Sequence, residues 1–197
     1  MNKRFHNVIM NDEAYSTLKR SAETLSKKLS KKLSFSDVIN MTIGRNFEFL
    51  DIPNELKSFI NDFVSALKEK EYVLGTLLFG SVSKGTFNEN SDIDLLIVVN
   101  DGYKNASEIS KIKIDMVDEA VELNDRGLPC TLSPFILDIR ELGNFHPLYL
   151  DFLDYGVILY DRNGTLSRFL ENMEKVKHKR SFSEFGEELS WEKAKAR

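Results

Sequence analysis

The chain has 197 residues, a formal net charge of −4 and a sequence pI near 5.5, so its overall charge gives no argument for nucleic-acid binding. Its 42% content of hydrophobic residues excludes disorder as the dominant state, and its length allows one medium domain, or a small one beside a medium one. A single cysteine, Cys130, excludes a disulfide framework and a cysteine-based zinc site; no apolar run reaches membrane-spanning length and no signal-peptide pattern is present, so a soluble cytoplasmic protein is expected.

The charge is unevenly spread: residues 1–50 hold nine Lys/Arg against five Asp/Glu. Residues 4–10 are β-prone and end at Asn11-Asp12. A helix follows, with Tyr15, Leu18, Ala22, Leu25 and Leu29 at three- and four-residue spacings and Lys19, Arg20, Lys27, Lys28, Lys31 and Lys32 on its other side. Ser34 and Asp37 form a capping-box signal for a second helix carrying Val38, Ile39, Met41 and Ile43. A strand and two helices in fifty residues cannot bury a sufficient core alone, so pairing with a second copy, a homodimer, is expected. The lysine run reads as a solvated helix face, as a contact to DNA phosphates, or as a surface for RNA or an acidic partner.

The stretches Asn11-Asp12-Glu13-Ala14-Tyr15 and Ser34-Phe35-Ser36-Asp37-Val38-Ile39 resemble the ribbon-helix-helix module of VapB-type antitoxins. In that family two strands pair across a dimer and read the DNA major groove. With Val8 and Met10 inward, Phe5, Asn7 and Ile9 face outward, and of these only Asn7 is similar to a base-reading side chain. The resemblance implies a dimerisation or DNA-binding module over residues 1–50.

Asp51-Ile52-Pro53-Asn54 interrupts the pattern and marks a boundary. Pro53 or Asn54 starts a helix with an apolar stripe of Leu56, Phe59, Ile60, Phe63 and Leu67. An apolar run from Val73 to Phe79 then stops at Gly80-Ser81, and after ten mostly small, polar residues Asp92-Ile93-Asp94 opens a second run, Leu95 to Val99. Both runs read as buried strands joined by a tight helical turn.

Residues two apart on a strand share a face, so Asp92 and Asp94 project together, and paired carboxylates repel unless a cation lies between them. Oxygen-only ligands favour Mg²⁺ or Mn²⁺. The backbone N–H groups of Gly80-Ser81 and the Ser81 hydroxyl can meet a phosphate across the turn, with Ser83 or Lys84 assisting. Metal beside phosphate points to phosphoryl or nucleotidyl transfer.

The pattern Phe79-Gly80-Ser81, Lys84, Gly85, then Ser91-Asp92-Ile93-Asp94-Leu95 resembles the DNA-polymerase-beta-like nucleotidyltransferases, and within them the minimal branch common in archaea and bacteria. The resemblance implies an NTP substrate, most simply ATP, a third carboxylate on a later strand, and a domain over residues 51–180. Its minimal antitoxin members attach AMP to a tyrosine of a HEPN-domain toxin, which makes such a toxin an expected partner.

Asn100-Asp101-Gly102 reads as a turn. A single helix from Ala106 to Asn124 is expected, with Ile109, Ile112, Val117, Ala120, Val121 and Leu123 mostly inward and Asp115, Asp118, Glu119 and Glu122 solvated. Cys130 to Leu137 reads as a third strand, at an edge or bulge because of Pro134. Its body carries no acid. Asp138 at its end is the candidate base or third ligand, or else the cap of the next segment; Glu141 is the second candidate. Phe145 to Asp154 reads as a short helix with His146 as its cap, Val157 to Tyr160 as a fourth strand, and Leu166 to His178 as a last helix before a tail over residues 181–197.

The expected fold is α/β (α+β): a small mixed sheet with helices mainly on one face. Asp92, Asp94 and Asp138 are the candidate catalytic residues, Asp92 and Asp94 the metal ligands, and Gly80, Ser81, Ser83 and Lys84 the nucleotide-binding set. Three functions fit. The chain modifies a small molecule, or labels a protein partner in a toxin–antitoxin pair, or serves as a non-catalytic dimeric DNA- or partner-binding regulator with a degenerate nucleotide site.

Overall fold

Two aliphatic runs on either side of the Gly80-Ser81 turn form the centre of a four-strand mixed sheet. The computed structural model describes residues 47–173, 177–183 and 186–192, together with Lys19. The chain divides into two compact units, Met1–Phe49 and Leu50–Arg197. The strand and two helices expected over residues 1–50 lie outside the described residues, apart from the few just named, as do the base-reading and dimerisation expectations that rest on them.

In the second unit, α1 (Asn54–Lys68) starts after Pro53, whose fixed φ suits a helix start, and buries Leu56, Phe59, Ile60, Phe63, Val64 and Leu67 along one stripe. β1 (Val73–Phe79), the one-turn helix α2 (Gly80–Lys84) and β2 (Asp92–Val99) follow. β1 and β2 are antiparallel, with Leu77 opposite Leu96 and Phe79 opposite Asp94. β3 (Thr131–Asp138) runs parallel to β2, and β4 (Val157–Asp161) runs antiparallel to β1, giving the order β3-β2-β1-β4. β3 is therefore an edge strand, where the missing N–H of Pro134 is tolerated.

A parallel pair needs a long crossover, which here is helical. It is two helices, α3 (Ala106–Asp115) and α4 (Val117–Asp125), where the sequence suggested one. Met116, at φ −99° and ψ 14°, leaves helical geometry and breaks the shared stripe. Only Ile109 and Leu123 are buried, while Val117 and Val121, expected inward, are exposed along with Ile114. The acids Asp115, Asp118, Glu119 and Glu122 are exposed as expected.

After β3 come a 3-10 turn (Ile139–Gly143) and α5 (Leu148–Tyr155), where the His146 ring nitrogen Nδ1 accepts from the Leu148 N–H at 3.2 Å as a cap. After β4, the Asp161 carboxylate accepts from the backbone N–H of Leu166 and Ser167 and starts α6 (Thr165–Met173). Lys177–Ser183 (β5) and Gly186–Glu192 (β6) pair antiparallel as a hairpin, so His178, the expected end of the last helix, lies in a strand, and so does much of the expected tail.

Leu77, Phe79, Leu96, Val98 and Leu137 pack with Tyr149, Leu150, Phe152 and Leu153 of α5 and Leu166, Phe169 and Met173 of α6 in one core. The alternate residues Leu78, Ile93, Leu95 and Ile97 face the other side and are also fully buried. The mixed sheet is the expected one. Helices pack on it as expected, with α5 and α6 together on the face of Leu77, Phe79, Leu96 and Val98.

Candidate active site

β1 ends where Gly80 takes φ +73°, a left-handed conformation that costs any residue with a Cβ. α2 closes five residues later on Gly85, at φ +68°, whose N–H returns to the carbonyls of Ser81 and Val82. The loop back is held by local polar bonds: the Asn90 N–H donates to Asn88 Oδ1 and the Asn88 N–H to Ser91 Oγ, each at 2.9 Å. The chain then enters β2 with Asp92 exposed, Ile93 buried and Asp94 half-buried.

Pairing of Phe79 with Asp94 brings the Asp94 carboxylate against the Gly80 backbone. A Cβ on Gly80 would lie 2.0 Å from Asp94 Oδ2, so Gly80 leaves the space that the carboxylate fills. Burial raises the Asp94 pKa above its ordinary value, and the charges of Asp92 and Asp151 add to the rise; the nearby Lys84 ammonium opposes it. Among the described residues no three His, Cys, Asp or Glu side chains form a group able to hold a metal ion. An oxygen-only pair beside a glycine cradle still fits a magnesium-like ion, which takes one or two carboxylates and completes its shell with water and substrate phosphates.

The other residues singled out in the sequence divide. Ser81 is half-buried in α2 beside Gly80. Ser83 is buried and donates its hydroxyl to the Gly80 carbonyl at 3.0 Å, so it braces the turn. Lys84 reaches across to α5, where its Nζ lies 3.1 Å from Asp151 Oδ2.

Asp138 is not brought to this group. Parallel pairing sets Asp94 beside Ser133 and Asp138 beside Val99, five residues further along β2, roughly 16 Å away at the rise of a strand. Its carboxylate accepts from the backbone N–H groups of Gly102 and Arg140 and from the Arg140 guanidinium, while Glu141 accepts from the Asp138 N–H to complete a capping box. Hydrogen bonds from Arg140 hold its pKa down at about 2. Asp138 and Glu141 therefore cap the 3-10 turn, and the register of β3 does not bring Asp138 to the Asp92–Asp94 pair.

The family profile described as "Nucleotidyltransferase domain" matches residues 60–159, from within α1 to β4. The chain belongs to that family. It is a nucleotidyltransferase, an enzyme type that moves a nucleoside monophosphate from an NTP. A Methanocaldococcus jannaschii protein described as "Putative protein adenylyltransferase MJ1305" is 27% identical over 125 residues, which is 61% of this chain and 82% of that protein. A chain from "Crystal structure of the toxin-antitoxin with AMP-PNP" is 19% identical with a TM-score of 0.39, covering 62% of this nucleotidyltransferase and 85% of that chain. No described helix of this nucleotidyltransferase is long and apolar enough to cross a membrane.

The site residue that sequence reasoning missed is Asp151. It stands in the run Leu148-Tyr149-Leu150-Asp151-Phe152-Leu153, and an acid flanked by core residues on both sides was the available signal. Its partner Lys84 is 67 positions away in the chain, a pairing that no local pattern encodes.

Proposed function

We propose that this nucleotidyltransferase transfers AMP from ATP to a hydroxyl group on a protein, a tyrosine side chain being the acceptor of choice. Asp92 and Asp94 would hold Mg²⁺, which supplies charge neutralisation at the phosphates when bound. Gly80 and Ser81 border the space for the nucleotide's phosphates. The acceptor oxygen forms a bond to the α-phosphorus, the bond from that phosphorus to the β-bridging oxygen breaks, and pyrophosphate leaves. With Thr131 and Ser133 in register beside Asp92 and Asp94, β3 offers no carboxylate there, and the acceptor's proton passes to water.

The observation that carries this reading is the close approach of the Asp94 carboxylate to the Gly80 backbone, where a Cβ would lie 2.0 Å from Asp94 Oδ2, so the acid sits directly beside the glycine-serine turn. The description of the archaeal relative as a protein adenylyltransferase supports a protein acceptor. The decisive experiment incubates the full chain with α-labelled ATP, Mg²⁺ and candidate acceptor proteins. Label should appear on an acceptor with wild type and fall by at least about a hundredfold with Asp92→Ala or Asp94→Ala, the loss typical of removing charge stabilisation at a reacting centre. Unchanged labelling in both variants would sink the assignment. Nucleotide-independent binding of DNA or a partner would favour a regulator in its place.

A further inference from the structure

The ammonium of Lys84 is tied down on two sides by one face of α5. It donates to Asp151 Oδ1 at 3.3 Å and lies 3.1 Å from Oδ2, so both carboxylate oxygens engage it. The Tyr155 ring, one helical turn on, lies beneath the same ammonium at 4.5 Å from its centroid. α5 is itself anchored through its buried aromatic residues. Phe152 meets Phe79 edge-on at 4.8 Å and stacks on Tyr149 at 5.6 Å, so the helix that presents Asp151 and Tyr155 is fixed to the last residue of β1.

A lysine at the end of a one-turn helix has four flexible bonds and would ordinarily point to solvent. Here its side chain is 24% exposed and that of Asp151 19% exposed. Partly exposed ion pairs of this kind add little to stability. What the pair does fix is the place of one positive charge at the rim of the Asp92–Asp94 site.

We propose that Asp151, with Tyr155, is a positioning residue that holds the Lys84 ammonium ready for the nucleotide's phosphates. The inference rests on the nucleotide-binding reading given under Proposed function. Asp151 touches no substrate in this role; it acts through Lys84, sparing the lysine's ordering when the nucleotide arrives.

The test is calorimetric titration of the full chain with a non-hydrolysable ATP analogue and MgCl₂. Lys84→Met should weaken binding about tenfold, the factor that ordering one long side chain and losing one charge contact would give. Asp151→Asn should weaken it by a similar factor, and the double variant no more than either alone. Binding by Asp151→Asn equal to or tighter than wild type, or losses that add in the double variant, would overturn the role. If Asp151→Asn fails to fold, Tyr155→Leu keeps the apolar bulk and removes the ring; weaker binding supports the role and unchanged binding overturns it. A wild-type chain that does not bind the analogue fails the underlying reading, whereas a binding wild type with an indifferent Asp151 fails this inference alone.

Discussion

Gly80 and Asp94 are packed so closely that no methyl group fits between them. Two independent demands meet at Gly80: a φ of +73°, and a missing Cβ that would otherwise lie 2.0 Å from Asp94 Oδ2. A glycine chosen for the turn alone would not need the second. Gly85 shows the difference, since it also has a positive φ of +68° but nothing lies within 4 Å of its absent Cβ.

The two glycines should therefore behave differently. Gly80→Ala and Gly85→Ala are each expected to cost about 1–2 kcal/mol of stability through the left-handed backbone. Only Gly80→Ala should also displace Asp94 and depress AMP transfer, by about a hundredfold. Thermal melts and label transfer on both variants check this; equal activity loss would contradict it.

Asp94 is raised by burial and by the charges of Asp92 and Asp151, so its ionised form is the one the fold disfavours. The stability it lends is present at low pH and is lost as pH rises through its elevated folded pKa. Asp94→Asn should consequently melt higher than wild type at neutral pH without metal. Added Mg²⁺ at a hundred times its dissociation constant should stabilise wild type by about 2.7 kcal/mol and the variant far less. Melting curves across pH, with and without MgCl₂, test both halves.

Mg²⁺ binding should also weaken on acidification at a pH above the ordinary carboxylate range, because the proton and the cation compete for the raised Asp94. Titrations of Mg²⁺ at stepped pH values measure the midpoint. A midpoint at or below the ordinary Asp value would contradict the geometry described for the pair.

Asp138 has the opposite sign. Its pKa is lowered to about 2 from 3.8, so the stability it lends is present above the ordinary value and is lost as pH falls through about 2. Asp138→Ala should lower the melting temperature at neutral pH and leave AMP transfer intact below that temperature. Loss of transfer in a folded Asp138→Ala protein would reinstate it as a catalytic residue.

Phe152 is fully buried between Phe79 and Tyr149. Phe152→Ala should cost about 3–5 kcal/mol, as a large buried ring replaced by a cavity does. Because the same ring anchors α5, surviving folded protein should also bind nucleotide more weakly. Denaturant unfolding and calorimetry give the two numbers.

What could be read from the chain without its structure is what has a local period. The stripe of α1, the two aliphatic strands, the glycine-serine turn and the shared face of Asp92 and Asp94 all follow from spacings of 3.6 or 2 residues within one element. The same holds for Pro134 on an edge strand and His146 as a cap. The caps at Asp138 and Asp161 are also short-range, yet a carboxylate at a strand end reads equally as cap or catalyst until its register is known. That register was decided by tertiary structure: the parallel pairing of β3 on β2 sets Asp138 beside Val99 and leaves Ser133 beside Asp94. Tertiary structure likewise decided the break at Met116, the hairpin of β5 and β6, and the reach of Lys84 to Asp151. Such contacts join residues far apart in the chain, and their geometry depends on how whole elements pack, which leaves no periodic trace in the sequence.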